Sequence, residues 1–185
     1  MARRVLGIDP GLTRCGLAIV EVSANRSLKF IAVETITTSP KDELPTRLIQ
    51  IAEVIEQQLS THKPDLIALE RVFAQANLRS VMGVAQISGV ILYLSAKHNI
   101  PLQFHTPSEV KAAVTGNGRA NKAQVGTMVT KLLRLNEIPK PADSADALAI
   151  AITAGWRPSA FVESKPLTRA QRAWADAEAA SKKTR

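Results

Sequence analysis

The sequence has a single cysteine, no long apolar run, and no repeated or low-complexity segment. Cys15 has no partner for an internal disulfide, so we expect a reducing, cytoplasmic environment and interpret this residue as a small core side chain. No stretch approaches the ~20 apolar residues that a membrane-spanning helix needs. The N-terminal residues also lack the apolar segment of a secretory signal, so we predict no membrane partner.

Acidic residues are scarce in two parts of the chain. Over residues 71–140, nine lysines and arginines stand against two acidic residues, and over residues 157–185 seven stand against three. The net charge of +8 is therefore concentrated rather than evenly spread. This pattern favours an anionic partner such as nucleic acid, with a merely solvated basic surface as the alternative.

With 185 residues, 45% of them hydrophobic, the chain is large enough to bury a core. We predict one folded domain over residues 1–157 and a basic C-terminal tail, partly helical or disordered, over residues 158–185. Apolar periodicity and turn residues predict strands over residues 4–9, 15–22, 28–37, 66–70 and 101–105. Helices are predicted over residues 43–61, 76–98, 121–135 and 143–156, with a short one opening at Pro107.

Two of these strands end in a carboxylate. The first strand ends at Asp9, before a Pro-Gly turn, and the fourth ends at Glu70. The helix between the third and fourth strands implies a right-handed crossover to a parallel neighbour, which would put both carboxylates at one edge of the sheet. A simple cap at the strand-to-turn junction is the alternative for Asp9.

Two more carboxylates, Asp143 and Asp146, lie three residues apart at the start of the last helix and share one face of it. Stabilisation of the helix N-terminus would explain either one alone. If this helix packs over the strand ends, four carboxylates meet, and they could not all stay ionised without cations. Oxygen ligands suit Mg²⁺, and two such ions about 4 Å apart would activate water against a phosphodiester.

Three segments together resemble the RuvC family of bacterial Holliday-junction resolvases: GIDPGLTRCGLA, LIALERVF and PADSADALAIAI, within residues 3–156. The resemblance implies an α/β, RNase H-like fold with a five-stranded mixed sheet flanked by helices. It also implies a homodimer that cuts four-way DNA junctions in recombination and repair, leaving 5′-phosphates. The family's catalytic metal ligands fall on Asp9, Glu70, Asp143 and Asp146, for two Mg²⁺ ions per subunit with Mn²⁺ as a substitute. A branch-migration motor complex of the RuvA–RuvB type is the implied partner.

The same resemblance supplies candidate DNA-binding residues. Phe73 matches an aromatic residue that stacks on an unpaired base, with a core phenylalanine as the alternative. Lys111, Arg119 and Lys122 are candidates for phosphate contacts or charge stabilisation, with simple solvation as the alternative. His105 follows the fifth strand, and we interpret it as a structural, hydrogen-bonded histidine.

Three rival functions stay open at this point. One is an RNase H-like nuclease that acts on RNA. Another is a phosphotransferase of the sugar-kinase or actin type, against which the length of 185 residues argues. The third is a non-catalytic junction-binding protein, against which the acidic set argues, because carboxylates repel phosphates unless a metal intervenes.

Overall fold

The computed structural model describes residues 2–71 and 78–157, and for residues 78–80 only their backbone. Each predicted strand and helix within these ranges is confirmed to within a few residues. None of the described helices is long and apolar enough to cross a membrane. The elements are β1 (Arg3–Asp9), β2 (Arg14–Val22), β3 (Leu28–Thr37), α1 (Leu44–His62), β4 (Leu66–Glu70), α2 (Leu78–Lys97), β5 (Leu102–His105), α3 (Pro107–Thr115), α4 (Lys122–Leu133) and α5 (Ala142–Trp156).

The strands form one mixed sheet in the order β3-β2-β1-β4-β5. The pairs β1–β2 and β2–β3 are antiparallel, as expected for strands joined by short turns. The pairs β1–β4 and β4–β5 are parallel, because a helix connects the strands of each crossover. The predicted five-stranded mixed sheet and the parallel neighbour of β1 are both confirmed.

Both faces of the sheet are covered by helices. On one face, Leu6 and Ile8 of β1 join a buried cluster with Ile51 of α1 and Ile87 of α2. On the other face, Val5 joins a cluster formed with α3, α4 and α5. Since side chains alternate along a strand, Asp9 falls on the face that α5 covers.

Two glycines let α5 approach the sheet closely. A Cβ atom on Gly7 would lie 2.3 Å from the carbonyl oxygen of Ala147, and one on Gly16 would lie 2.2 Å from that of Asp143. Neither strand position therefore tolerates a side chain, which is the usual meaning of glycine inside a strand. The backbone of α5 is thereby seated directly on β1 and β2, beside the end of β1.

Candidate active site

The register of β1 and β4 brings the first two acidic residues together. Ile8 pairs with Leu69 in the parallel ladder, so the next residues, Asp9 and Glu70, lie side by side at the end of the pair. Both follow residues of the α1–α2 face, and alternation turns both toward α5. The prediction that these carboxylates share one edge of the sheet is confirmed.

The N-terminal half of α5 brings the other two acidic residues to the same edge. Its first turn is anchored to β3 by a 3.0 Å hydrogen bond between the hydroxyls of Ser144 and Thr35. The contact between Gly16 and the backbone of Asp143 fixes the height of the helix above the sheet. Consequently, Asp146 faces the ends of β1 and β4.

A pocket of about 200 Å³ lies where these elements meet. Asp9, Glu70 and Asp146 line it together with two lysines, Lys111 of α3 and Lys122 at the start of α4. The helices that carry the lysines are held by buried neighbours, Val110 and Val125, which also reach the pocket wall. The carboxylates of this small pocket suit a bound cation. The two lysines at its border suit an anion in contact with that cation.

Crowding of carboxylates perturbs their protonation. Burial raises the pKa of Asp9 to about 7, and the charges of Asp146, Glu70 and Asp143 add to the effect. Burial also raises the pKa of Glu70, again with a contribution from Asp146. Lys122 opposes both shifts. The four carboxylates therefore act on one another electrostatically, as the sequence predicts.

Lys122 is the direct partner of Asp146. Its Nζ donates a hydrogen bond to Asp146 Oδ2 at 2.7 Å, and this bond raises the pKa of the lysine. The lysine side chain is 74% exposed, whereas that of Asp146 is 22% exposed. The ammonium group thus stands at the mouth of the pocket, where it can meet an incoming phosphate.

Asp143 lies one turn earlier and does not line the pocket. Arg14 approaches it, with 3.0 Å between Nε and Asp143 Oδ2. The approach lacks hydrogen-bond geometry, and that buried oxygen has no hydrogen-bond partner among residues 2–71 and 78–157. Asp143 therefore has an acceptor to spare beside the pocket.

Comparison with known proteins adds an independent observation. The family model "Crossover junction endodeoxyribonuclease RuvC" matches residues 5–154. The chain belongs to the RuvC family. A relative of that name from Paenarthrobacter aurescens is 52% identical over the full length of both chains. Another, from Streptomyces griseus, is 60% identical over 83% of this chain and 76% of its own length.

Solved structures agree with this assignment. Thermus thermophilus RuvC in complex with a Holliday junction substrate matches with a TM-score of 0.78 and 33% identity, over 82% of this chain and 92% of that one. The predicted RNase H-like fold is thereby confirmed.

The donor set of this RuvC-family pocket fits a hard divalent cation. The acidic groups that line the pocket offer only oxygen ligands, and the pKa values of Asp9 and Glu70 are raised. Beside the pocket, Asp143 Oδ2 accepts no hydrogen bond from the described residues. Among residues 2–71 and 78–157, no three acidic, histidine or cysteine side chains stand close enough together in this arrangement to hold a metal ion. Instead, the ammonium of Lys122 neutralises Asp146.

The predicted DNA-binding residues lie in different parts of the structure. Lys111 and Lys122 lie at the acidic pocket. Arg119 is exposed in the loop between α3 and α4, where its backbone N–H donates to Asn117 Oδ1, and it does not reach the pocket. Phe73 and the predicted tail over residues 158–185 lie outside the described residues.

The interpretation of His105 as a hydrogen-bonded structural histidine is wrong in one respect, its hydrogen bonding. The side chain is buried, with 1% exposure, but neither ring nitrogen has a hydrogen-bond partner within the described part of the chain. The register with Glu70 turns the ring inward, toward the face that α5 covers. Burial, helped by the charge of Arg157, lowers the pKa of His105 to about 4, so the ring stays neutral.

Two contacts of the site have no signal in the sequence. The partners Arg14 and Lys122 could not be assigned to Asp143 and Asp146, because such pairing depends on the tertiary arrangement. The close seating of α5 did have a signal, since Gly7 and Gly16 interrupt otherwise apolar strands.

Proposed function

We propose that this protein is a structure-selective endonuclease that resolves four-way DNA junctions by divalent-metal-dependent hydrolysis of phosphodiesters. The supporting observation is the pocket in which Asp9, Glu70 and Asp146, from three separate parts of the chain, face Lys111 and Lys122. The family's name and the junction-bound Thermus thermophilus relative support the substrate class.

Asp9, Glu70, Asp143 and Asp146 would hold Mg²⁺, two ions per subunit, with Mn²⁺ as a substitute. When bound, the metal would supply a water nucleophile at neutral pH and charge stabilisation for the phosphate. Asp143 would complete the set from beside the pocket, where Arg14 approaches its carboxylate at 3.0 Å. Cleavage would leave a 5′-phosphate and a 3′-hydroxyl.

The two lysines would act on the phosphate itself. Lys122 stands at the mouth of the pocket on an exposed side chain, and Lys111 lies on its wall. A phosphate between them would gain charge-assisted hydrogen bonds as negative charge develops on its oxygens. Arg119 would contact a phosphate outside the pocket, and Phe73 would stack on an unpaired base at the junction, as the family resemblance implies.

A twofold dimer would cut the two strands in a paired way, one per subunit. Helix α2 supports this proposal, because Met82, Leu92 and Tyr93 expose 56%, 45% and 63% of their surface. Exposed apolar side chains on one helix suit burial against a second copy.

Residues 1–157 would form the nuclease domain, and residues 158–185 would form a basic tail. The protein would be cytoplasmic and would work with a branch-migration motor.

The test compares cleavage and binding of a synthetic four-way junction. Asp9→Asn and Asp146→Asn should lose Mg²⁺-dependent cutting while retaining junction binding in Ca²⁺. Asp65→Asn is the control, because Asp65 is exposed and lies at the opposite end of β1. Its carboxylate accepts a hydrogen bond from the backbone N–H of Arg4. Wild-type cleavage in both pocket variants would refute the proposal.

The rival functions have distinct outcomes in the same assay. Preferential cutting of structured RNA over four-way DNA at equal salt would favour a ribonuclease. Binding that persists in chelator, without any metal-dependent cutting, would favour a junction-binding protein. Binding of ATP would favour a phosphotransferase.

A further inference from the structure

One arginine is buried beside the turn that follows Asp9. Arg47, in the first turn of α1, is 9% exposed, and among the described residues no other lysine, arginine, aspartate or glutamate is buried. No carboxylate of the described ranges forms an ion pair with it. A buried charge without an ion-pair partner destabilises the fold unless its hydrogen bonds are satisfied, so the hydrogen bonds of Arg47 are essential to its burial.

The hydrogen bonds of Arg47 converge on the β1–β2 turn. Its Nε donates to Thr38 Oγ1 at 2.8 Å, and its Nη2 donates to Thr13 Oγ1 at 2.9 Å. Thr38 in turn donates from Oγ1 to the carbonyl of Leu12 at 2.6 Å and from its backbone N–H to the carbonyl of Thr13 at 3.0 Å. The guanidinium fork thus holds both ends of a small network around residues 12 and 13.

This turn controls two groups of the acidic site. It begins immediately after Asp9 and ends at Arg14, the ion-pair partner of Asp143. On its other side, Leu12 contacts α2, where a Cβ on Gly83 would lie 3.2 Å from Leu12 Cβ. The turn is therefore held by hydrogen bonds from Thr38 and from Arg47 of α1, and by the apolar contact of Leu12 with α2.

We propose that Arg47 is a positioning residue that fixes the Pro10–Thr13 turn, and through it the carboxylates of Asp9 and Asp143, for metal binding and cleavage. This inference rests on the proposed function. The effect is one of geometry, since the charges that act on Asp9 come from Asp146, Glu70, Asp143 and Lys122. Lysine cannot replace arginine here, because a single ammonium does not reproduce the two-nitrogen fork.

Variants of Arg47 and of its acceptor test this role. Arg47→Met should weaken Mn²⁺ binding about 10-fold and slow single-turnover junction cleavage about 100-fold, because Asp9 would be displaced from its position as a metal ligand. The dissociation constant for the junction in Ca²⁺ should change less than about 3-fold, because phosphate contacts that dominate DNA affinity are untouched. Arg47→Lys should fall between Arg47→Met and the wild type.

Arg4→Met is the matched control for loss of stability alone. Arg4 also ties several elements together, through Glu21 Oε2 at 3.2 Å and the carbonyl of His62 at 3.1 Å, but at the far end of β1. It should lower the melting temperature without altering Mn²⁺ affinity. If Arg47→Met loses no more Mn²⁺ affinity and rate than Arg4→Met, the inference is overturned.

Substitutions of Thr13 decide the matter if Arg47→Met does not fold. Thr13→Val removes the acceptor of the Nη2 bond, and Thr13→Ser keeps it. Loss of Mn²⁺ affinity in the valine variant with recovery in the serine variant supports the inference, and equal behaviour of the two overturns it. If the wild type does not cut four-way junctions, the proposed function fails, whereas Mn²⁺ binding by these variants still decides the role of Arg47.

Discussion

Replacing Asp9 by asparagine should stabilise the metal-free protein while it abolishes cleavage. Asp9 is crowded by Glu70, Asp143 and Asp146, and burial removes much of its hydration. Without a bound cation, Lys122 is the neighbouring charge that offsets the repulsion. An amide of the same shape removes the charge and keeps the packing, so the cost of the cluster becomes measurable as a stability difference.

The magnitude follows from the protonation of Asp9. Its pKa is raised from 3.8 to about 7, so between these values the folded protein holds a proton that the unfolded chain has released. Stability therefore falls as pH rises through this window. At about 1.4 kcal/mol per pH unit, the penalty is about 2 kcal/mol at pH 5 and about 4 kcal/mol at pH 7 and above.

Urea and thermal unfolding in EDTA at several pH values measure this difference. At pH 8, Asp9→Asn should melt on the order of 10 °C above the wild type, and the gap should narrow at pH 5. Adding Mg²⁺ to the wild type should close part of the gap, because a ligand that binds only the folded state stabilises it. Asp65→Asn is the matched control, since Asp65 is an exposed carboxylate at the opposite end of β1.

Two results would contradict this reasoning. One is a stability difference between wild type and Asp9→Asn that stays constant from pH 5 to pH 8. The other is a wild type that is the more stable protein in EDTA at pH 8. Either would mean that burial and the neighbouring carboxylates do not penalise the ionised form of Asp9, and a cation would then not be needed to hold the cluster together.

Three further predictions concern other parts of the structure. Lys122→Met should slow cleavage about 10- to 100-fold in single-turnover assays and should lower the melting temperature in EDTA, because the ammonium that pairs with Asp146 is lost; an unchanged rate would exclude a role at the phosphate. Gly16→Ala should destabilise the fold by about 1–3 kcal/mol in urea unfolding and displace α5, whereas Gly89→Ala, with no atom within 4 Å of the added Cβ, should stabilise it by up to about 1 kcal/mol; equal effects would contradict the close seating of α5. His105→Phe should abolish a loss of about 3 kcal/mol between pH 7 and pH 4, because the pKa of His105 falls from 6.5 to about 4 on folding and the unfolded chain binds the proton first; parallel pH profiles of variant and wild type would refute this.

The strands and the first two acidic residues were predictable because local pattern determines them. Apolar runs that end at Asp9 and Glu70 specify buried strands, and the helix between β3 and β4 leaves only a parallel arrangement for β1 and β4. Once the strands are parallel neighbours, their terminal carboxylates have to meet. The placement of Asp146 needed one more fact, the packing of α5 on the sheet, which Gly7 and Gly16 encode through the side chains that they lack.

The charges around the acidic residues were not predictable in the same way. Lys122 and Asp146 are 24 positions apart, and Arg14 and Asp143 are separated by most of the chain. No periodicity connects such pairs, since each depends on how two elements are oriented in three dimensions. The burial of Arg47 was equally invisible, because its sequence position, in the first turn of an amphipathic helix, is one where arginine is normally solvated.

Asp9 and His105 make the stability of the metal-free protein depend on pH in opposite directions. Asp9 favours the folded state at low pH, because folding raises its pKa, and His105 favours it at high pH, because folding lowers its pKa. The two windows overlap, from 3.8 to about 7 for Asp9 and from about 4 to 6.5 for His105, so the two effects should nearly cancel and the stability of the metal-free protein should depend little on pH in this range. A divalent cation cancels only the Asp9 effect, so with the cation bound the His105 effect remains and stability should rise as pH increases from about 4 to 6.5. The acidic site thus makes the fold most stable at neutral pH only when the cation that the chemistry requires is bound.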